Sequence, residues 1–143
     1  MIDIDFIKTE WQKDSVMDID LLDHESMKIP QLHSKYLNIL SDIRLIKLKK
    51  ENDYKKLLRD KFEYYTGKAD AEVYKQQPFD LKILKQDVNL YIESDSEIQS
   101  AQNKLGYYKE MMFLVESILN NINTRGFQIK NSIEWQKFMQ GSI

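Results

Sequence analysis

The sequence predicts an all-α fold, a long helix followed by amphipathic C-terminal helices, and three observations carry that prediction. Among 143 residues there are only four glycines and two prolines, and Lys, Glu, Leu, Ile and Gln, which tolerate or favour helix, are abundant. Between Ile29 and Tyr65 nothing breaks the chain, and Ile29, Leu32, Tyr36, Leu40 and Ile43 recur at three- and four-residue steps. The cleanest periodicity comes later: Ile98, Ala101, Leu105, Tyr108, Met112, Val115, Leu119 and Ile122 alternate steps of three and four, as along a coiled-coil seam.

The length suits one compact domain, or a small domain with an assembly segment, and not two independent cores. With 31% charged and 42% hydrophobic residues the chain is expected to fold. Cysteine is absent, which removes thiol chemistry and fits a reducing compartment. Met1–Asp5 is acidic and lacks the basic and apolar blocks of a signal peptide. No apolar run approaches membrane-spanning length. The expectation is a soluble intracellular protein without a membrane partner.

Taken in order, residues 3–13 read as a short amphipathic helix, with Ile4, Ile7 and Trp11 at helical spacing. Asp18-Ile19-Asp20 opens a loop or a second short helix through Met27, and Pro30 suits the first turn of the long helix. A helix from Pro30 to Tyr65 would extend about 54 Å, and its apolar stripe thins through residues 47–53. Gly67 is placed to close it in the left-handed conformation. Residues 68–78 form a connector that reverses the chain. After Pro78 a helical tract is expected on Leu81, Leu84, Val88 and Tyr91, although 88–92 also reads as a short strand. Ser94-Asp95-Ser96-Glu97 has the form of a capping box. Beside the seam, Met111, Leu114 and Ile118 add a second apolar edge, which suits a bundle or a higher-order ring. Gly126 is the expected stop, followed by a last amphipathic helix on which Trp135 and Phe138 either close over the core or meet a partner. The expected division is an N-terminal helical region at 1–77, with the long basic helix, and a C-terminal helical oligomerisation region at 78–143.

The formal net charge of −2 conceals a segregation. Residues 1–27 carry eight acids (Asp3, Asp5, Glu10, Asp14, Asp18, Asp20, Asp23, Glu25) against Lys8 and Lys13 and sum to −6. Residues 44–68 carry nine cations against Glu51, Asp53, Asp60 and Glu63 and sum to +5. Either the two segments pair within one chain, or the basic one offers a surface to a polyanion. Within Tyr54–Lys68, Lys55 and Arg59 share one helical stripe, while Lys61, Tyr65 and Lys68 share its neighbour. Cations that track phosphates beside rings that stack on bases are what sequence-tolerant single-strand binding requires. The candidate nucleic-acid contacts are therefore Lys55, Lys56, Arg59, Lys61, Tyr65 and Lys68. The plainer reading of the stretch is a solvated amphipathic helix with its aromatics in a core. The candidate assembly residues are Leu105, Tyr108, Met112, Val115 and Leu119 on the seam, with Trp135 and Phe138 beyond it.

No catalytic constellation emerges. His24 and His33 lack a second pair of ligands at metal spacing, and the pairs Asp3/Asp5 and Asp18/Asp20 lie in polar sequence with no pocket signal. Thr66-Gly67-Lys68 lacks the upstream glycine of a phosphate loop. The expectation is a protein that is not an enzyme and uses no metal or cofactor.

Residues 58–68, Leu-Arg-Asp-Lys-Phe-Glu-Tyr-Tyr-Thr-Gly-Lys, resemble the basic motif and Tyr-Tyr-Ser/Thr-Gly turn of the UvsY recombination mediators of tailed phages. Two more segments agree in order: His33-Ser34-Lys35-Tyr36-Leu37-Asn38 upstream and Arg125-Gly126-Phe127-Gln128-Ile129-Lys130 downstream. The resemblance implies an all-helical protein that assembles into a homo-oligomeric ring, a hexamer or heptamer. It further implies a protein that binds single-stranded DNA and helps a RecA-like recombinase of the UvsX type replace the single-strand-binding protein on it, in the host-cell cytoplasm. The family motif reads Leu-Lys-Ala-Arg-Leu; its two cations fall on Arg59 and Lys61, their order is swapped, and Asp60 replaces a small neutral residue. The rival from another class is a non-catalytic coiled-coil adaptor whose basic helix binds an acidic protein. A membrane-surface helix fits less well, because the cationic stretch holds too many acids.

Overall fold

The computed structural model describes residues 2–141. Among them are six α-helices and one 3-10 turn: α1 (Ile4–Asp14), α2 (Leu22–Tyr65), α3 (Ala71–Gln76), the turn Lys85–Asp87, α4 (Val88–Glu93), α5 (Ser96–Asn123) and α6 (Arg125–Met139). The described residues contain no strand, so the all-α expectation holds, and residues 88–92 are helical.

The described residues form two compact units, 2–44 with 110–141, and Leu45–Lys109. They do not follow chain order, because α2 and α5 each contribute to both. In the first unit Asp3 caps α1, its Oδ1 accepting from the Phe6 amide at 2.8 Å, which satisfies a donor the first turn leaves open. The Trp11 ring meets the buried Tyr36 edge-on, with centroids 5.5 Å apart. Ile7, Tyr36, Ile39, Leu40, Ile43, Met111, Val115, Ile118, Leu119, Ile122 and Ile129 are buried.

A polar cluster ties these helices together. Lys35 Nζ lies 2.7 Å from Glu10 Oε2 and 2.6 Å from Asp14 Oδ2, and the Tyr36 hydroxyl donates to Asp14 Oδ2 at 2.8 Å. Arg125, buried at the start of α6, donates to the Asp14 carbonyl at 2.7 Å and lies over Trp11, 5.5 Å from its centroid. Burial alone would raise the Asp14 pKa, but hydrogen bonds from Lys35 and Tyr36 and the charges of Lys35 and Arg125 outweigh it, so the carboxyl titrates below its ordinary 3.8. The hydrogen bond from Lys35 likewise holds Glu10 below its ordinary 4.5. A carboxylate whose pKa is depressed by folding adds stability above its ordinary pKa and loses it as pH falls through the folded value. Lys35→Met should therefore be less stable than the parent in urea at neutral pH, and the difference should shrink once both carboxyls are protonated. A difference that stayed constant from pH 7 to acid would show that the cluster does not act through charge.

Several boundaries differ from those read in the sequence. The long helix begins at Leu22, after an Asx turn in which the Asp20 amide donates to Asp18 Oδ1 at 2.9 Å. Asp23 and Glu25 then favour the helix N-terminus. Pro30 is consequently internal; it denies a donor only to the carbonyl of exposed Ser26, where water can substitute. Residues 78–84 are not helical, which removes Leu81 and Leu84 from the expected tract. Asp95, not Ser94, caps α5, its Oδ1 accepting from the Glu97 and Ile98 amides at 2.9 and 3.3 Å. The Ser94 hydroxyl instead donates back to the Leu90 carbonyl at 2.8 Å. The break after α5 falls at Thr124, and Gly126 lies within α6.

The end of α2 is as expected. Gly67 has φ of 77°, the Lys68 amide reaches the Glu63 carbonyl at 2.8 Å and the Gly67 amide reaches Tyr64 at 3.3 Å. This is a Schellman closure, and it needs the left-handed residue that glycine supplies without strain. The connector is fastened there, because the Tyr74 hydroxyl donates to the Tyr64 carbonyl at 2.8 Å.

Candidate nucleic-acid interface

The second unit is built on Val88, Ile92 and Ile98, with Tyr54, Leu57, Leu58, Tyr65 and Ile83 packed against them. That packing fixes the rotation of α2 here. Tyr54, Leu58, Lys61 and Tyr65 face inward, and a separate stripe, Asn52, Lys55, Arg59 and Phe62, is exposed to water. Lys56, on the flank of that stripe, is exposed too, as is Lys68 in the turn. Among the described residues Lys55, Lys56 and Lys68 have no ion pair. Arg59, with its side chain 69% exposed, touches only its neighbour Asp60, at 3.6 Å. Exposed cations of this kind are available to phosphates.

Lys61 is not. It is only 9% exposed, with its Nζ 3.2 Å from Asp95 Oδ2 and 3.4 Å from Glu97 Oε1. Burial alone would lower its pKa, but the hydrogen bond and charge of Asp95, with Glu97 behind, raise it above the ordinary value. Tyr65 is engaged as well: its hydroxyl donates to Asp95 Oδ2 at 2.7 Å. Its ring packs on Tyr64, Phe79 and Tyr91 at centroid distances of 4.9, 5.1 and 5.8 Å. Burial first, and then the bond to Asp95, push its pKa well up. Asp95 itself is held below the ordinary carboxylate range, since the bonds from Tyr65, Lys61 and the Ile98 amide outweigh its burial. These contacts bear on two expectations. Lys61 meets carboxylates where a phosphate was expected, and Tyr65 stacks on the protein's own rings where a base was expected. The ring left accessible is Phe62, 42% exposed, one helical turn from Arg59 on the outward stripe. Its place on that stripe, three residues after Arg59, was the available signal.

The residues expected to build an assembly also separate. Val115 is 0% exposed and Leu119 is buried within the first unit, where they complete its core, so the seam at that level faces the chain's own helices. Leu105, Tyr108 and Met112 are partly buried. Trp135 and Phe138 are 62% and 70% exposed, their rings stacked 5.6 Å apart. Phe127 and Phe138 lie on the face of α6 opposite buried Arg125 and Ile129, and Trp135 lies on its flank.

Among the described residues no group of His, Asp and Glu could hold a metal ion, and no helix is long and apolar enough to cross a membrane. Comparison with known proteins gives one consistent result. The recombination protein uvsY of Enterobacteria phage T4 is 25% identical over 135 residues, 94% of this chain and 96% of that protein. A crystal structure of the bacteriophage T4 recombination mediator protein UvsY matches with a TM-score of 0.86 at 24% identity, over 98% of this chain and 99% of that one. A second crystal form matches with a TM-score of 0.82 at 26% identity, over 92% and 97%. The family model for the recombination, repair and ssDNA binding protein UvsY covers residues 10–142. The chain belongs to the UvsY family.

Proposed function

We propose that this protein is a recombination mediator that binds single-stranded DNA through the outward face of α2. In this role it promotes loading of a RecA-like recombinase, of the UvsX type, onto strands coated by single-strand-binding protein. The observation that carries the reading is the exposed set Lys55, Lys56 and Arg59, with Phe62 beside it, in a chain of the UvsY family. The cations follow the phosphates, and the ring offers a base a stacking face. Lys68 extends the cationic surface past the helix end. Lys61, Asp95 and Tyr65 act indirectly, by fixing the rotation that turns Lys55 and Arg59 outward.

One such patch makes few phosphate contacts and holds a strand weakly at physiological salt. A homo-oligomeric ring of six or seven copies would repeat the patch, and linked weak contacts would add into avidity. The mediator needs no chemistry of its own, because remodelling the strand is a matter of competing equilibria. Trp135 and Phe138 are the side chains proposed to bury against a neighbouring copy, with Leu105, Tyr108 and Met112 contributing where they remain accessible.

The test is recombinase filament formation on single strands already coated by single-strand-binding protein. The parent is expected to accelerate it. Lys55→Ala, Lys56→Ala and Arg59→Ala combined are expected to abolish most of the acceleration while the helical circular dichroism stays unchanged. A folded triple variant that accelerated as well as the parent would remove the α2 face from the mechanism.

A further inference from the structure

Past Lys56, on the side of α2 away from the outward stripe, the second unit contains a groove of about 370 Å³. Lys50, Asp53 and Leu57 of α2 form one wall, and Ser96, Ser100 and Lys104 of α5 stand on the other with Ala101. Leu57 and Ala101 give it an apolar, half-buried floor, and each wall carries one lysine at its rim. The groove is continuous with the exposed cations, since Lys49, Asp53 and Lys56 recur at helical spacing along its α2 edge. Two acids also line it. Glu97 is engaged by Lys61 at 3.4 Å, whereas Asp53, among the described residues, has no cationic partner.

We propose that this groove is a nucleotide subsite on the single-strand path, in which Lys50 and Lys104 hold phosphates from opposite walls while a base lies on Leu57 and Ala101. It rests on the single-strand reading above and extends it with a preference among bases. A carboxylate can only accept hydrogen bonds. Asp53 therefore accepts from the exocyclic amine that cytosine presents, and it repels the carbonyl oxygen that thymine presents at the same place. The subsite thus favours amino-bearing bases, and the outward stripe, which carries no carboxylate and whose Asn52 can both donate and accept, does not discriminate.

The experiment uses the full chain with labelled oligo(dC) and oligo(dT), titrated across a range of salt. The parent should bind oligo(dC) about tenfold tighter than oligo(dT), the worth of one hydrogen bond to a charged group. Lys50→Ala and Lys104→Ala should each flatten the log–log salt slope by about 0.7 for both oligonucleotides, and Lys104→Arg should keep the slope. Asp53→Ala should bring the two affinities together. If the double lysine variant, folded by circular dichroism, keeps the parent's slope, the groove is off the DNA path while the outward stripe stands. A base preference that survives Asp53→Ala overturns the role given to Asp53. A parent that binds neither oligonucleotide overturns both this subsite and the single-strand reading beneath it.

Discussion

Replacing Lys61 with alanine is expected to lower the stability of the fold by about 3–5 kcal/mol, the cost of removing one partner from a buried ion pair. The Asp95 side chain is 8% exposed and faces Lys61 Nζ at 3.2 Å. Without that cation its carboxylate keeps only the Tyr65 hydroxyl and the amides it caps. The loss reaches further than one pair, because Asp95 also starts α5 and anchors Tyr65 in the cluster that closes α2. Arg59→Ala should change stability by less than about 1 kcal/mol, since its contact with Asp60 is exposed. Urea midpoints of the two variants, measured side by side, separate the two cations of the motif into one that holds the fold and one that meets solvent. Equal midpoints would contradict the inward position of Lys61.

A comparably large effect is expected at Val115. A lysine there would place a charge at a position 0% exposed in the first unit, one helical turn from buried Ile118, costing about 4 kcal/mol or more. The variant should lose helical circular dichroism without passing through a folded, smaller species. Trp135→Lys with Phe138→Lys should do the opposite, because both rings are exposed on α6. That pair should leave the helical signal intact and reduce the sedimenting mass. An unchanged mass would remove α6 from the proposed contact between copies.

The contrast between these variants explains what the sequence could and could not disclose. The long helix and its end were legible, because a run without breakers and a glycine after two tyrosines are local signals. The rotation of α2 about its axis was not. Arg59 and Lys61 are two residues apart, about 200° around a helix, so they point to different sides of it, and the spacing does not say which side is buried. Which of them turns inward is decided by Asp95, a partner distant in sequence that also serves as the α5 cap. The seam from Ile98 to Ile122 was legible as a stripe. A three-four repeat reads the same whether its partner is the same chain or another, and here Val115, Leu119 and Ile122 meet their own chain's core. Gly126 misled for a related reason. It carries the composition of a helix stop, but the chain turns two residues earlier, at Thr124, and buried Arg125, bonded to the end of α1, begins the next helix.

The outward face of α2 is the central claim, and the salt dependence of oligonucleotide affinity tests it most directly. The folded parent should bind a single strand with a steep log–log slope. The triple variant Lys55→Ala, Lys56→Ala and Arg59→Ala should bind more weakly, with a slope flattened by about 0.7 for each phosphate contact removed. An equally steep slope in the folded triple variant would contradict the account and place the DNA on another surface of the protein.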